Sequence, residues 1–396
     1  MHQQTASRAT NLRLTSIDIV RGLAMIVMAL DHIREFVSNA PFDPTDMSQT
    51  TPAYFFTRWI THLCAPTFVF LAGVSVFLAS AGEGRGTGTL ISRGLWLMLL
   101  EVAFVTPLGW AFNLHYGFVR LQVIWAIGGS MILLALAARV AAPRIVLAIG
   151  LAIVLLHDGL NAHAEIFGAM APAWAVLDDF QIFKPWPGHV IASIYPVLPW
   201  FGIMAAGYGM GGLFQLPAER RGPILRNLGL TMIAAFIALR AAQLYGDPKP
   251  WLLQRDGLFT LMSFLNCTKY PPSLLYTLMT LGPALLLLGL AERLPLVLAD
   301  RLVLLGRVPL FFYLLHLPLY HALSVLVVWA RGYPVGWMFV DAITIGHTPL
   351  SASTDYGIGL GGVYAIWVCG LLLLYPACKA YARIKRTRRH HWMTYL

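Results

Sequence analysis

Apolar runs close to twenty residues long recur from one end of this 396-residue chain to the other. A helix of about that length spans the hydrocarbon core of a bilayer. The composition agrees: 58% of the residues are hydrophobic and 12% are charged, against roughly 25% charged in a soluble domain. The pattern predicts an all-α, polytopic integral membrane protein. Hydropathy places about ten transmembrane helices, at 14–37, 54–80, 90–110, 117–139, 143–161, 190–214, 224–245, 272–292, 302–330 and 359–382.

Residues 1–13 read as a cytoplasmic N-terminal segment, 14–382 as the transmembrane domain and 383–396 as a basic cytoplasmic tail. The first apolar run has no small-residue cleavage site, so it is expected to be retained. With the N-terminus inside, the inner segments carry Arg8, Arg13, Arg85, Arg93, Arg139, Arg144, Arg220, Arg221, Arg226, Arg293, Arg301, Arg307 and a tail cluster of Lys379, Arg383, Lys385, Arg386, Arg388 and Arg389. They outnumber the outer basic residues by roughly two to one, which favours ten spans with both termini cytoplasmic. The net charge of +10 therefore points to anionic lipid rather than nucleic acid. Acidic residues lean outward, Asp43, Asp46, Asp178, Asp179, Asp247, Asp341 and Asp355 among them. Cys64, Cys267, Cys369 and Cys378 form neither a disulfide framework nor a metal spacing, and no metal is expected.

The first helix carries the densest chemistry. In "DIVRGLAMIVMALDHIREF", Arg21, Met25, Met28, His32 and Glu35 follow one another at intervals of four and three, which places them on one face. Asp18 stands one turn before Arg21 and can pair with it. Arg21 and His32 are separated by about 16 Å of helix rise. Either residue has a plain alternative: an arginine near a helix end can snorkel, and a histidine can mark an interface. Together with Asp31 and Glu35, ionisable groups inside a span favour function.

The second span, "TRWITHLCAPTFVFLAGVSVFL", puts His62 at a depth near that of His32; Pro66 should kink it and free a carbonyl. Gly73 and Ser75 suit close packing. His62 fits an interhelical hydrogen bond as well as it fits catalysis. The ninth span, "GRVPLFFYLLHLPLYHAL", places Tyr313, His316 and Tyr320 on one face, with His321 turned away. The string "YGMGGLF" follows no strand and is expected to serve helix packing, not a nucleotide. Two long outer connections, 162–189 and 246–271, are candidates for function. The first carries His163, Glu165, Asp178, Asp179, Lys184 and His189. The second ends in "FLNCTKYPPSLLY", with Lys269 and Tyr270 at the outer mouth and Pro271 and Pro272 suited to the first turn of the eighth helix.

The blocks "TSIDIVRGLAMIVMALDH", "THLCAPTFVFLAGVS", "FLNCTKYPPSLLYTLMTLGP" and "GRVPLFFYLLHLPLY" resemble the bacterial branch of the heparan-alpha-glucosaminide N-acetyltransferase catalytic-domain family. The Arg21–His32 spacing also resembles the first-helix motif of bacterial acyltransferase-3 proteins. The resemblance implies a multi-pass enzyme of the bacterial inner membrane. It would take an acyl group, often acetyl, from cytoplasmic acyl-CoA and pass it to a hydroxyl or amine of a sugar or glycan at the outer face. Acyl-CoA, that acceptor and the bilayer are the partners it implies; a homodimer is one assembly open to it.

One departure stands out. The lysosomal enzyme of the family has asparagine where this chain has His32, and its active histidine follows the first helix. Here residues 38–57 hold no histidine, so the base falls to His32 or His62. On this reading Arg21 holds the donor, and His32 takes the acceptor proton with Asp31 or another carboxylate orienting it. His62 and His316 are further catalytic candidates, and Lys269, Tyr270 and Glu35 bind the acceptor. Direct transfer and an acyl-histidine intermediate both stay open. From another class, a proton-coupled transporter would use Asp31, His32, His62 and His316 as a relay, though no inverted repeat is evident. A membrane scaffold would use these polar groups only for packing.

Overall fold

The computed structural model describes residues 14–40, 42–83, 86–294, 296–339 and 355–387. Segment 1–13, the end of the tail from 388 onward, Arg85 and Asp341 lie outside them, as does the side chain of Glu165. Among the described residues, nine helical segments are long and apolar enough to cross a membrane. Helix α1 (Thr15–Val37) matches them in length at 23 residues, but Asp18, Arg21, Asp31, Arg34 and Glu35 are spread along it so that it has no long stretch nearly free of charge. Together they form the all-α, polytopic membrane protein that the hydropathy predicts.

The boundaries differ where proline or strand chemistry intervenes. The second span is two helices, α2 (Pro52–Thr61) and α3 (Cys64–Glu83). Pro66 lies in the first turn of α3, where a missing N–H costs nothing. The carbonyl it cannot pair, that of His62, accepts instead from the Tyr276 hydroxyl at 2.9 Å. Helix α4 (Thr87–Leu100) passes into a π-helical stretch, Glu101–Ala111, that contains Pro107.

The fourth and sixth spans begin later than expected, because their first residues are strands. Strand β1 (Phe118–Leu121) precedes α5 (Val123–Val140). After α6 (Pro143–Ala162) and α7 (Ala171–Asp178) come β2 (Gln181–Phe183) and β3 (Val190–Ser193), then α8 (Val197–Gly209). The three strands form one small sheet in the order β1-β3-β2, parallel between β1 and β3 and antiparallel between β3 and β2. The alternating, β-branched run Val190-Ile191 suits a strand, and extended Pro196 separates it from α8. Hydropathy alone does not separate a short apolar strand from the helix it precedes.

Helix α9 (Ala218–Ala242) is followed by α10 (Gly257–Leu265), capped by Asp256, and α11 (Leu274–Ala291), capped by Ser273. Pro271 and Pro272 therefore lie before the eighth span, not in its first turn. The expected ninth span is again two helices, α12 (Leu296–Arg307) and α13 (Pro309–Ala330). The break falls at Val308, because the proline ring disfavours helical backbone in the residue before it. The last span is α14 (Leu360–Thr387).

Small residues set the closest helix contacts. A side chain on Gly73 would strike the Met204 carbonyl of α8, and one on Gly207 the Phe70 carbonyl of α3. In "YGMGGLF", Gly211 faces the Phe77 ring in the same way, so that string packs helices. Gly22 and Gly306 bring α1 against α12. Helix α1 also packs on α3, α11, α13 and α14, which places it among the other helices with Arg21 and His32 part-buried and Glu35 exposed at its end.

Candidate active site

The stripe on α1 is divided between two cavities. Arg21 and Met25 border the larger, about 710 Å³. Met28, Asp31, His32 and Glu35 border the smaller, about 320 Å³. Phe68 of α3 and Val123 at the start of α5 border both, so these two side chains form the wall between them.

The Arg21 cavity is basic at one end and apolar along its walls. Arg93, Arg307 and Lys385 border it with Arg21. Arg21 donates from Nη2 to the Ser75 hydroxyl at 3.0 Å and lies 3.7 Å from Asp18. The second contact is the one-turn pair expected from the sequence. Asp18 also faces Arg307 at 3.7 Å. Ser75 thus holds the guanidinium as well as allowing close packing.

The His32 cavity sets charged and phenolic side chains among apolar ones such as Met28, Phe118 and Phe180. Asp31 is clamped between Arg58 and Arg34, the latter at 3.0 Å. Arg120 of β1 lies 4.4 Å above the Trp110 ring and 3.5 Å from Glu35. Lys269 stands over the rings of Tyr195 and Tyr270. Burial works to raise the Tyr270 phenol, but the Lys269 and Arg58 cations bring it below the ordinary tyrosine range. Burial pushes its hydrogen-bonded neighbour Tyr195 up.

His32 Nδ1 lies 2.6 Å from His316 Nε2. His316 Nδ1 in turn faces two backbone carbonyl oxygens, Tyr313 at 2.5 Å and Phe312 at 3.2 Å. Carbonyl oxygens only accept, so His316 carries its proton on Nδ1. Its Nε2 is then a lone pair and accepts from His32 Nδ1–H. The unprotonated nitrogen of a neutral His32 is therefore Nε2. The Trp110 ring meets His32 edge-on at 5.6 Å. This chain of donors leaves His32 able to take one proton from a group in its cavity.

The structure thus gathers Asp31, His32, Glu35, Lys269 and Tyr270 around one cavity, with His316 behind His32 and Arg21 in the adjoining cavity. His62 borders neither cavity. Its ring packs on Tyr276 at 5.5 Å, and its Nδ1 has no hydrogen-bond partner among the described residues. Asp31 sits beside His32 in sequence, but its carboxylate is taken by arginines; the histidine is oriented by His316. The sequence reading missed Arg58, Arg120, Trp110 and Tyr195 as site residues. Arg58 lies one turn before His62, a spacing that gave no sign of the ion pair to α1. Arg120 follows α4 in a segment read as the head of a helix. His321 is turned away as expected, stacked on Phe112 with its two ring nitrogens facing the Gly109 and Met338 carbonyls.

The membrane helices thus hold two adjoining cavities, one bordered by four basic side chains and one by His32. The chain belongs to the family described as heparan-alpha-glucosaminide N-acetyltransferase, catalytic, whose model matches residues 13–245, more than half of its length. Arg21, Asp31, His32, Glu35 and His62 fall inside that match; Lys269, Tyr270 and His316 lie beyond it. No curated protein matches the chain.

Proposed function

We propose that the protein moves an acyl group, acetyl in the first instance, from acyl-CoA to a hydroxyl or amine of a sugar-type acceptor across the membrane. The observation that carries this reading is the wall of Phe68 and Val123 between a basic cavity and a cavity bordered by His32. The larger cavity takes the donor. Arg21, Arg93, Arg307 and Lys385 meet the phosphates of CoA, and the apolar walls take the pantetheine arm. The run from Arg21 to His32, about 16 Å by helix rise, suits that arm in extended form. The thioester then lies at the wall.

The smaller cavity takes the acceptor. Its tyrosines, phenylalanines and paired charges suit the hydroxyl and ring faces of a sugar. His32 Nε2 removes the acceptor proton, and His316 holds the ring and accepts from Nδ1–H as the imidazolium forms. His316 does here what a carboxylate does for the histidine of a hydrolase triad. The bias of basic residues supports cytoplasmic termini and a cytoplasmic Arg21 mouth; on this reading the His32 cavity opens at the outer face, and the membrane is a bacterial inner membrane.

Thermal unfolding of the detergent-solubilised protein tests this reading. Acetyl-CoA should raise the melting temperature in a concentration-dependent way, and acetate should not. Equal melting with and without acetyl-CoA, together with solute flux that needs no acyl-CoA, would favour a transporter instead.

A further inference from the structure

The Tyr313 side chain has no role in the proton transfer just described, yet it stands beside it. It lies on α13 one turn before His316, with ring centroids 5.4 Å apart. It also borders the Arg21 cavity. The residue is 4% exposed, and its hydroxyl is buried without a hydrogen-bond partner among the described residues. The ionisable group acting on it is Glu101. One oxygen of Glu101 accepts from the Trp125 N–H in the first turn of α5 at 3.2 Å; the other is also unpartnered. Val123, in that same turn, is half of the wall between the cavities. Tyr313 therefore lines the donor cavity beside His316 and holds an O–H that no described residue uses. Buried donors are almost always satisfied, so a missing partner at a cavity wall points to a ligand.

We propose that the Tyr313 hydroxyl donates a hydrogen bond to the carbonyl oxygen of a bound acyl thioester and holds that oxygen as it becomes an oxyanion. The proposal rests on the acyl-CoA reading above. The acceptor lone pair adds to the carbonyl carbon while His32 Nε2 takes the acceptor proton. The carbonyl π pair moves onto oxygen, where Tyr313 meets it. That pair then re-forms the C=O bond, the C–S bond breaks, and the departing CoA sulfur takes the proton from His32. The products are the acylated acceptor and free CoA thiol. Acyl transfer requires a base for the nucleophile and a donor for the oxyanion, and His32 and Tyr313 would supply the two.

Isotope-edited infrared spectroscopy with S-[1-13C]acetyl-CoA reads this contact directly and needs no acceptor. Bound to the wild-type protein in nanodiscs, the labelled carbonyl should absorb at lower frequency than when bound to Tyr313→Phe. 3-Fluorotyrosine introduced at position 313, a stronger donor of nearly the same shape, should lower the band further; it also guards against a misfolded phenylalanine variant. CoA release by Tyr313→Phe should fall about a hundredfold, with the acetyl-CoA-induced melting shift retained. An identical carbonyl band in all three proteins overturns the proposal and leaves the acyl-CoA reading intact. Failure of the wild-type protein to bind acetyl-CoA overturns both.

Discussion

His32 Nδ1 and His316 Nε2 lie 2.6 Å apart, and the two carbonyls behind His316 fix which way the protons point. In that order His316 accepts and His32 donates, which leaves Nε2 of His32 unprotonated and, on the proposed function, free to act as the base. His316→Ala should lower the turnover number by about a hundredfold, the cost of losing orientation of a catalytic group, with little change in acetyl-CoA affinity. His316→Gln, whose side chain can still accept, should recover part of the loss. Steady-state kinetics of the two variants in nanodiscs make the check; equal activity of His316→Ala and wild type would remove His316 from the mechanism.

Arg21 is held by Ser75 and Asp18 at the edge of the larger cavity. A hydrogen bond from a charged group contributes about 1.5–3 kcal/mol, so Arg21→Ala should weaken acetyl-CoA binding at least about tenfold. Calorimetric titration reads this. Unchanged affinity would exclude Arg21 from the donor site.

Phe68 closes the way between the cavities together with Val123. Phe68→Ala should open that wall. Water would then reach the thioester, and acceptor-independent hydrolysis of acetyl-CoA should rise several-fold over wild type. Longer acyl chains should also become usable. Hydrolysis equal to wild type, measured by CoA release, would show that Phe68 is not the barrier.

Much of this was legible before any coordinates. The Arg21–Met25–Met28–His32–Glu35 stripe follows from helical period alone, and its two ends do meet different cavities. Lys269 and Tyr270, placed at the outer mouth by hydropathy, do border the His32 cavity. The freed carbonyl before Pro66 exists, and Tyr276 takes it. What the sequence hid are contacts between distant segments. Asp31 is next to His32 in sequence, and about 100° of helix turn already separates the two side chains. The arginine that claims Asp31 comes from α2. The strands β1 and β3 were absorbed into spans because short apolar strands and helix ends have the same hydropathy. His62 looked equivalent to His32 by depth, which carries no information about rotation toward a cavity.

Tyr270 gives a pH-dependent signal outside the helices. Its phenol is buried, which opposes ionisation, yet Lys269 and Arg58 lower it on balance. A folded value below the unfolded one of about 10 means that the ionised form favours the fold. That contribution is complete above the unfolded value and is lost as the pH falls through the folded one. The phenolate absorbance of one tyrosine should therefore appear earlier than in denatured protein, and Lys269→Met should move it to higher pH. An onset unaffected by Lys269→Met would contradict the arrangement.

Asp31 is the shared partner of Arg34 and Arg58. Removing one member of a buried ion pair costs about 3–5 kcal/mol. Asp31→Asn should thus lower the melting temperature well before any effect on chemistry can be isolated. Wild-type melting with lost activity would instead assign Asp31 a direct part in the reaction.

The central claim is that His32 is the base at the meeting point of a donor and an acceptor cavity. Purified protein in nanodiscs, incubated with labelled acetyl-CoA and followed by CoA release, tests it most directly. Wild type should release CoA, and His32→Ala should lose about two to four orders of magnitude, the usual contribution of a general base, while acetyl-CoA still raises its melting temperature. CoA release by His32→Ala at the wild-type rate would contradict the claim.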